Sequence, residues 1–169
     1  VAVLNLGGVA NVTWVGPGPL DAGDALVAFD TGPGVALIDD WVLRHTGQSM
    51  DHDGKLAVAG MVETSVVNAM LDHPYFQRPP PKSLDRGDFS LAAVEGLSVV
   101  DGAATLAAVT AEAAARGARH FPVPVKRWLV TGGGRCNPAL MARLRERLGV
   151  PVAVAESVGW RGDAVEAEA

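Results

Sequence analysis

Ala28-Phe29-Asp30-Thr31-Gly32-Pro33-Gly34 decides how the rest of the chain is read. An apolar run, Ala25-Leu26-Val27-Ala28-Phe29, precedes it, and a helix-like run, Leu37-Ile38-Asp39-Asp40-Trp41-Val42-Leu43, follows it. Asp30 is therefore expected where a buried strand ends and a Gly-Pro-Gly turn begins, with Pro33 at an early helical position. Gly32 and Gly34 would let backbone N–H groups approach a ligand, and the following helix N-terminus favours anionic groups. A carboxylate held there can take a proton from a nucleophile while a phosphate lies alongside. Read from these residues alone, Asp30 is better explained as a turn cap, because turns of the Asp-Thr-Gly type are common.

Upstream, Val1 to Leu6 and Val9 to Val15 read as strands broken by Gly7-Gly8. In the second, Val9, Asn11, Thr13 and Val15 share one face, and Ala10, Val12 and Trp14 the other. A loop from Gly16 through Asp24 leads to the strand ending at Phe29, so three short strands form an antiparallel meander. The Gly7-Gly8 turn can hold a phosphate on its amides, with Asn5 and Asn11 flanking it; glycine pairs are also plain hairpin turns.

Downstream, Leu37, Trp41 and the Ile38/Val42 pair give a helical face that Gly47 ends. Asp51-His52-Asp53-Gly54 resembles the start of a calcium loop, but the remaining carboxylates are missing and Lys55 would repel a cation. A turn is expected instead, before one helix carrying Leu56, Ala59, Val62, Val66, Met70 and Leu71. Four prolines between His73 and Ser83 exclude a regular helix there. Tyr75, Phe76 and Phe89 would pin that loop while Lys82 and Arg86 project cations. Residues 101–116, rich in alanine, read as a helix capped by Asp101. Arg127 to Thr131 reads as a strand running into Gly132-Gly133-Gly134. Asn137 then caps a helix with Pro138 at its first position, and Gly149 ends it. Strand, glycine turn and capped helix is a layout in which a nucleotide lies on backbone N–H groups. The pattern is neither G-x-G-x-x-G nor a Walker loop. Val152 to Ala155 is a last strand, before a turn and helix from Gly159.

Taken whole, 169 residues suffice for one domain with a real core. The residues are 49% apolar, yet no run is long enough to span a membrane. A net charge of −5 without a Lys/Arg cluster argues against nucleic acid. The single cysteine, Cys136, excludes an internal disulfide and suits a reducing cytoplasm. The chain opens on a strand without methionine, as if cut from a longer one. The order β-β-β-α-(helical insert)-α-β-α-β-(α) is the plan of the ribonuclease-H-like (actin-like ATPase) domain, an α/β fold with a mixed sheet. Proteins of this kind use the domain twice and bind ATP between the copies.

Six separated stretches occur in one order: Asn5-Leu6-Gly7-Gly8-Val9-Ala10-Asn11, Phe29-Asp30-Thr31-Gly32-Pro33-Gly34, Pro74-Tyr75-Phe76 with Pro80-Pro81-Lys82-Ser83, Ala104-Thr105-Leu106, Gly132-Gly133-Gly134 with Asn137, and Glu166-Ala167. This order resembles the anhydro-N-acetylmuramic acid kinase family of peptidoglycan recycling. The resemblance implies that residues 1–169 are the C-terminal lobe of a two-lobe kinase, without the N-terminal lobe that carries a Gly-Thr-Ser-x-Asp-Gly phosphate loop. It implies a cytoplasmic enzyme that uses ATP, with Mg2+, to open 1,6-anhydro-N-acetylmuramic acid and phosphorylate its O6. By the same resemblance Asp30 is the base that activates water, and Gly7 and Gly8 form a phosphate loop. Gly32 and Gly34 also touch the nucleotide. Gly132, Gly133 and Gly134 form the adenosine loop with Asn137, and Asn11 and Glu166 contact sugar. A second copy of the chain is a further expected partner.

Three departures stand out. Val35 replaces an asparagine that usually follows Gly-Pro-Gly, Leu84-Asp85-Arg86-Gly87 replaces Thr-Gly-Arg-Glu, and the chain ends soon after Glu166. A non-catalytic nucleotide- or sugar-binding module of the same fold, or another sugar kinase of the superfamily, are the alternatives.

Overall fold

A computed structural model describes residues 1–18 and 25–161. Its five-stranded sheet has the order β3-β2-β1-β4-β5: β1 (Ala2–Leu6), β2 (Val9–Val15), β3 (Leu26–Pro33), β4 (Trp128–Thr131) and β5 (Val152–Val154). The first three strands are antiparallel, as the short links required, and β4 and β5 run parallel to β1. This is the ribonuclease-H-like plan anticipated from the element order.

The helices are α1 (Ala36–Thr46), α2 (Lys55–Ala59), α3 (Thr64–Leu71), α4 (Val99–Gly117) and α5 (Pro138–Leu148). Helix α4 lies across β2 and β3 and gathers the other four around it. Its run of alanines brings helix backbones close. Gly102, with Trp41 where a Cβ would be, does the same for α1. The core joins Leu4, Leu6 and Val12 of the sheet to Trp41, Leu106 and Leu144 of the helices. The opposite sheet face, with Val3, Val9, Asn11, Thr13 and Val15, is only half-buried.

Four expectations need correction. Strand β3 does not stop at Phe29 but continues through Pro33, because Pro33 pairs with Val9 on an edge strand, where a missing N–H costs little. Pro33 is therefore not an early helical residue; Val35 is the N-cap of α1. The helix expected through Leu56 and Leu71 is two helices. Gly60 is extended and packs so tightly on the Val100 carbonyl that a Cβ would overlap it. Helix α4 is capped by Ser98, whose hydroxyl accepts the Asp101 N–H at 3.2 Å, so Asp101 is not the cap. The Asp101 carboxylate accepts instead from the Met61 N–H, at 2.7 Å, and from the Ser98 hydroxyl.

The Asp51-His52-Asp53-Gly54 stretch is a turn, as expected. Both oxygens of Asp51 accept N–H groups at the start of α2, from Leu56 at 2.9 Å and Ala57 at 3.0 Å. Among the described residues no group of three His, Cys, Asp or Glu could hold a metal, and no helix is long and apolar enough to cross a membrane.

Candidate active site

Strand β3 carries a bulge at Thr31: Ala10 pairs with Gly32 and Asn11 with Asp30. The Thr31 hydroxyl donates to the Ala10 carbonyl at 3.1 Å and holds the bulge in place. Bulges re-aim neighbouring side chains. Here the pairing sets Asp30 opposite Asn11, Asn11 opposite Asn5, and Asn5 opposite Thr131. Side chains directly opposite one another share a face. A polar row thus crosses four strands of the sheet.

Asp30 is held by the proline-rich loop. Its N–H donates to the Lys82 carbonyl at 3.1 Å, and its carbonyl accepts the Tyr75 hydroxyl at 2.6 Å. Its Oδ2 accepts the Leu84 N–H at 2.8 Å. One carboxylate oxygen is fixed by a backbone donor, and the side chain remains only half-buried. Burial and the nearby Asp30 push the Tyr75 phenol well above its usual range, so it stays a donor. Lys82 does not project into solvent as expected. It is 8% exposed, with Nζ 4.6 Å from the Tyr75 ring centroid and 3.4 Å from the Tyr75 carbonyl oxygen. Burial, Arg119 and Arg78 together lower its pKa. Arg86 does reach outward and pairs with Asp40 at 2.8 Å.

The two glycine turns lie side by side. Gly7-Gly8 follows β1 and Gly132-Gly133-Gly134 follows β4, at the C-terminal ends of neighbouring parallel strands, where open α/β sheets bind ligands. The Gly7 carbonyl accepts from Val35 at 2.9 Å and the Gly8 carbonyl from Gly34 at 3.0 Å. Among the described residues no backbone carbonyl takes the Gly7 or Gly8 N–H. Gly34 packs on this turn so closely that a Cβ would overlap the Gly7 carbonyl. Gly32 sits against Ala113 and Phe76. Gly132 (φ 74°) packs on Asn5, and Gly134 on Leu6 and Val35. Gly133 is exposed, with nothing within 4 Å of a Cβ position. Asn137 caps α5, its Oδ1 accepting the Leu140 N–H at 3.1 Å.

Beside Gly133 a cavity of about 190 Å³ is walled by the start of α1, the Met50–Asp53 turn and the Gly133–Asn137 loop. Neither this cavity nor Asp39 in its wall was marked by a motif. The buried Lys82 was missed too, for it reads in sequence as a surface cation. Glu166 lies outside the described residues.

A family model described as anhydro-N-acetylmuramic acid kinase matches residues 1–169. The chain belongs to the anhydro-N-acetylmuramic acid kinase family. A relative of that name from Paramagnetospirillum magneticum is 57% identical over 172 residues, covering 100% of this chain and 47% of its own length. One from Rhodospirillum rubrum is 57% identical over 169 residues, covering 100% and 44%. The chain thus spans about half the length of these relatives. Among solved structures, the Clostridium difficile activator of 2-hydroxyisocaproyl-CoA dehydratase with bound ADPNP matches with a TM-score of 0.57 at 11% identity, over 92% of this chain and 53% of its own. Component A of the Acidaminococcus fermentans (R)-2-hydroxyglutaryl-CoA dehydratase matches with 0.56 at 16% identity, over 91% and 54%. These two likenesses are of fold alone. Asp30, the Gly7-Gly8 turn and the Gly132–Gly134 turn, separated in sequence, are neighbours at one end of the sheet.

Proposed function

We propose that this chain is the C-terminal lobe of an ATP-dependent kinase that opens the 1,6-anhydro ring of anhydro-N-acetylmuramic acid and phosphorylates O6. The observation that carries the reading is Asp30, a backbone-oriented carboxylate in a polar row beside two glycine turns. Asp30 accepts a proton from water as the water oxygen bonds to the anomeric carbon. The C1–O6 bond breaks, and O6 takes the γ-phosphoryl group while ADP leaves. Gly7 and Gly8 offer N–H groups to phosphate oxygens, and Gly132–Gly134 seat the adenosine. Asn11, opposite Asp30, and Glu166 contact the sugar. Magnesium enters as the counterion of the ATP phosphates. The setting is the cytoplasm, where ATP is available.

The test is Asp30→Asn in the full-length kinase. ATP binding is retained, and turnover of the anhydro sugar falls about 10²–10⁴-fold, the usual loss for a positioned base. Near-normal turnover by the variant would sink the assignment.

A further inference from the structure

The cavity beside Gly133 has an acidic lining. Its polar side chains are Asp39, Asp51, His52, Asp53 and Asn137, and no Lys or Arg is among the residues that line it. Most of these groups are already engaged. Asp51 spends both oxygens on the α2 N–H groups, and Asn137 spends its oxygen on α5. Asp53 faces Lys55 at 3.6 Å. Asp39 is different: among the described residues its carboxylate takes no hydrogen bond and no ion pair. Arg86, whose charge favours the ionised Asp39, gives its guanidinium to Asp40 instead.

A phosphate would meet repulsion here and no cation. An uncharged group that brings hydroxyl donors to a half-buried acceptor fits both the size and the charge of the cavity. The glycine turn across the cavity from Asp39 is the one read above as the adenosine seat. We propose that Asp39 binds the ribose of the nucleotide, its carboxylate accepting hydrogen bonds from the 2′- and 3′-hydroxyls. This rests on the reading that the nucleotide lies on Gly132–Gly134. The protonation of Asp39 supports it. Burial, then Asp40, push its carboxyl up to about 6, opposed by Arg86 and reinforced by Asp51. A residue that is costly to ionise, unpaired and turned to a cavity is characteristic of a binding role rather than a scaffolding one. His52 and Asp53 are the other titratable groups in the same wall.

The experiment is calorimetric titration of the full-length kinase, wild type and Asp39→Asn, with ADP and with 2′,3′-dideoxy-ADP at pH 7.5. Wild type should prefer ADP by about 10-fold or more, the size of hydrogen bonds to a charged acceptor. In Asp39→Asn the preference should fall to about threefold or less. If wild type binds ADP and the variant keeps the full preference, Asp39 does not hold the ribose, while the nucleotide site stands. If wild type binds no ADP, the nucleotide reading fails and takes this inference with it. Should Asp39→Asn not fold, Asp39→Ser is titrated in its place; equal binding of the two nucleotides by wild type already overturns the proposal.

Discussion

Asp39 and Asp30 lie within one short stretch of chain but differ in surroundings. The Asp30 carboxylate receives a backbone N–H and lies beside other polar groups, whereas Asp39 has burial and two neighbouring aspartates against it. Because the folded pKa of Asp39, about 6, exceeds the 3.8 of an ordinary aspartate, the folded protein binds that proton more tightly than the unfolded chain. Its ionisation therefore costs stability, and the sign follows. The cost is absent below about pH 4, grows as pH rises to 6 and is complete above 6. Asp39→Asn should melt at a higher temperature than wild type at pH 7.5, with the difference closing toward pH 4. Half-exposure to solvent keeps the gap to a few degrees. Thermal melts across pH 4–8 check this; a gap that does not change with pH would mean that the carboxylate charge is not its source. A variant that gains stability while losing ribose discrimination would show that Asp39 is kept for binding.

The glycine turn after β4 separates two roles that three identical letters conceal. Gly132 needs its positive φ of 74° and abuts Asn5, and Gly134 would drive a Cβ to 2.6 Å from the Leu6 Cβ. Alanine at either position should cost about 1 kcal/mol or more in folding. Gly133 has neither constraint, so alanine or valine there should change stability by no more than about 0.5 kcal/mol. If the nucleotide lies over this turn, Gly133→Val nevertheless raises the dissociation constant for ADP, with a smaller effect on sugar. Paired melts and ADP titrations distinguish the outcomes; unchanged ADP affinity in folded Gly133→Val would move the nucleotide elsewhere. The sequence announced the turn through its glycines, and Asn137 through its capping position before Pro138. It could not distinguish the three glycines, because what differs is contact with Leu6, Val35 and Asn5, residues more than 90 positions away. The same limit explains β3, whose extension through Pro33 depends on pairing with Val9. It also explains the break at Gly60, which depends on the Val100 carbonyl.

At the scale of the molecule, the meander and the following α/β alternation were legible because they are local: period-two apolar runs, glycine breaks and capped helices. The gathering of Asp30, Gly7-Gly8 and Gly132–Gly134 at one end of the sheet was not local. It follows once β4 pairs with β1 and β3 with β2. That end is a surface rather than an enclosure. Asn5, Asn11 and Asp30 are half-buried, Gly8 and Gly133 exposed, and the cavity beside them is lined without a Lys or Arg to neutralise phosphates. Phosphoryl transfer depends on positioning and on stabilising charge in a site closed to water. The chain spans 47% and 44% of the lengths of two close relatives, so in the two-lobe reading the opposing wall comes from the remaining half. Residues 1–169 alone should therefore bind ADP weakly, through the turn and the Asp39 cavity, and should not phosphorylate anhydro-N-acetylmuramic acid. Incubation with the sugar and ATP, read by mass spectrometry of the sugar phosphate, tests the second part, and calorimetry the first. Product formed at a rate comparable with the full-length relatives would show that this lobe completes its own site, and the two-lobe cleft would have to be abandoned for it.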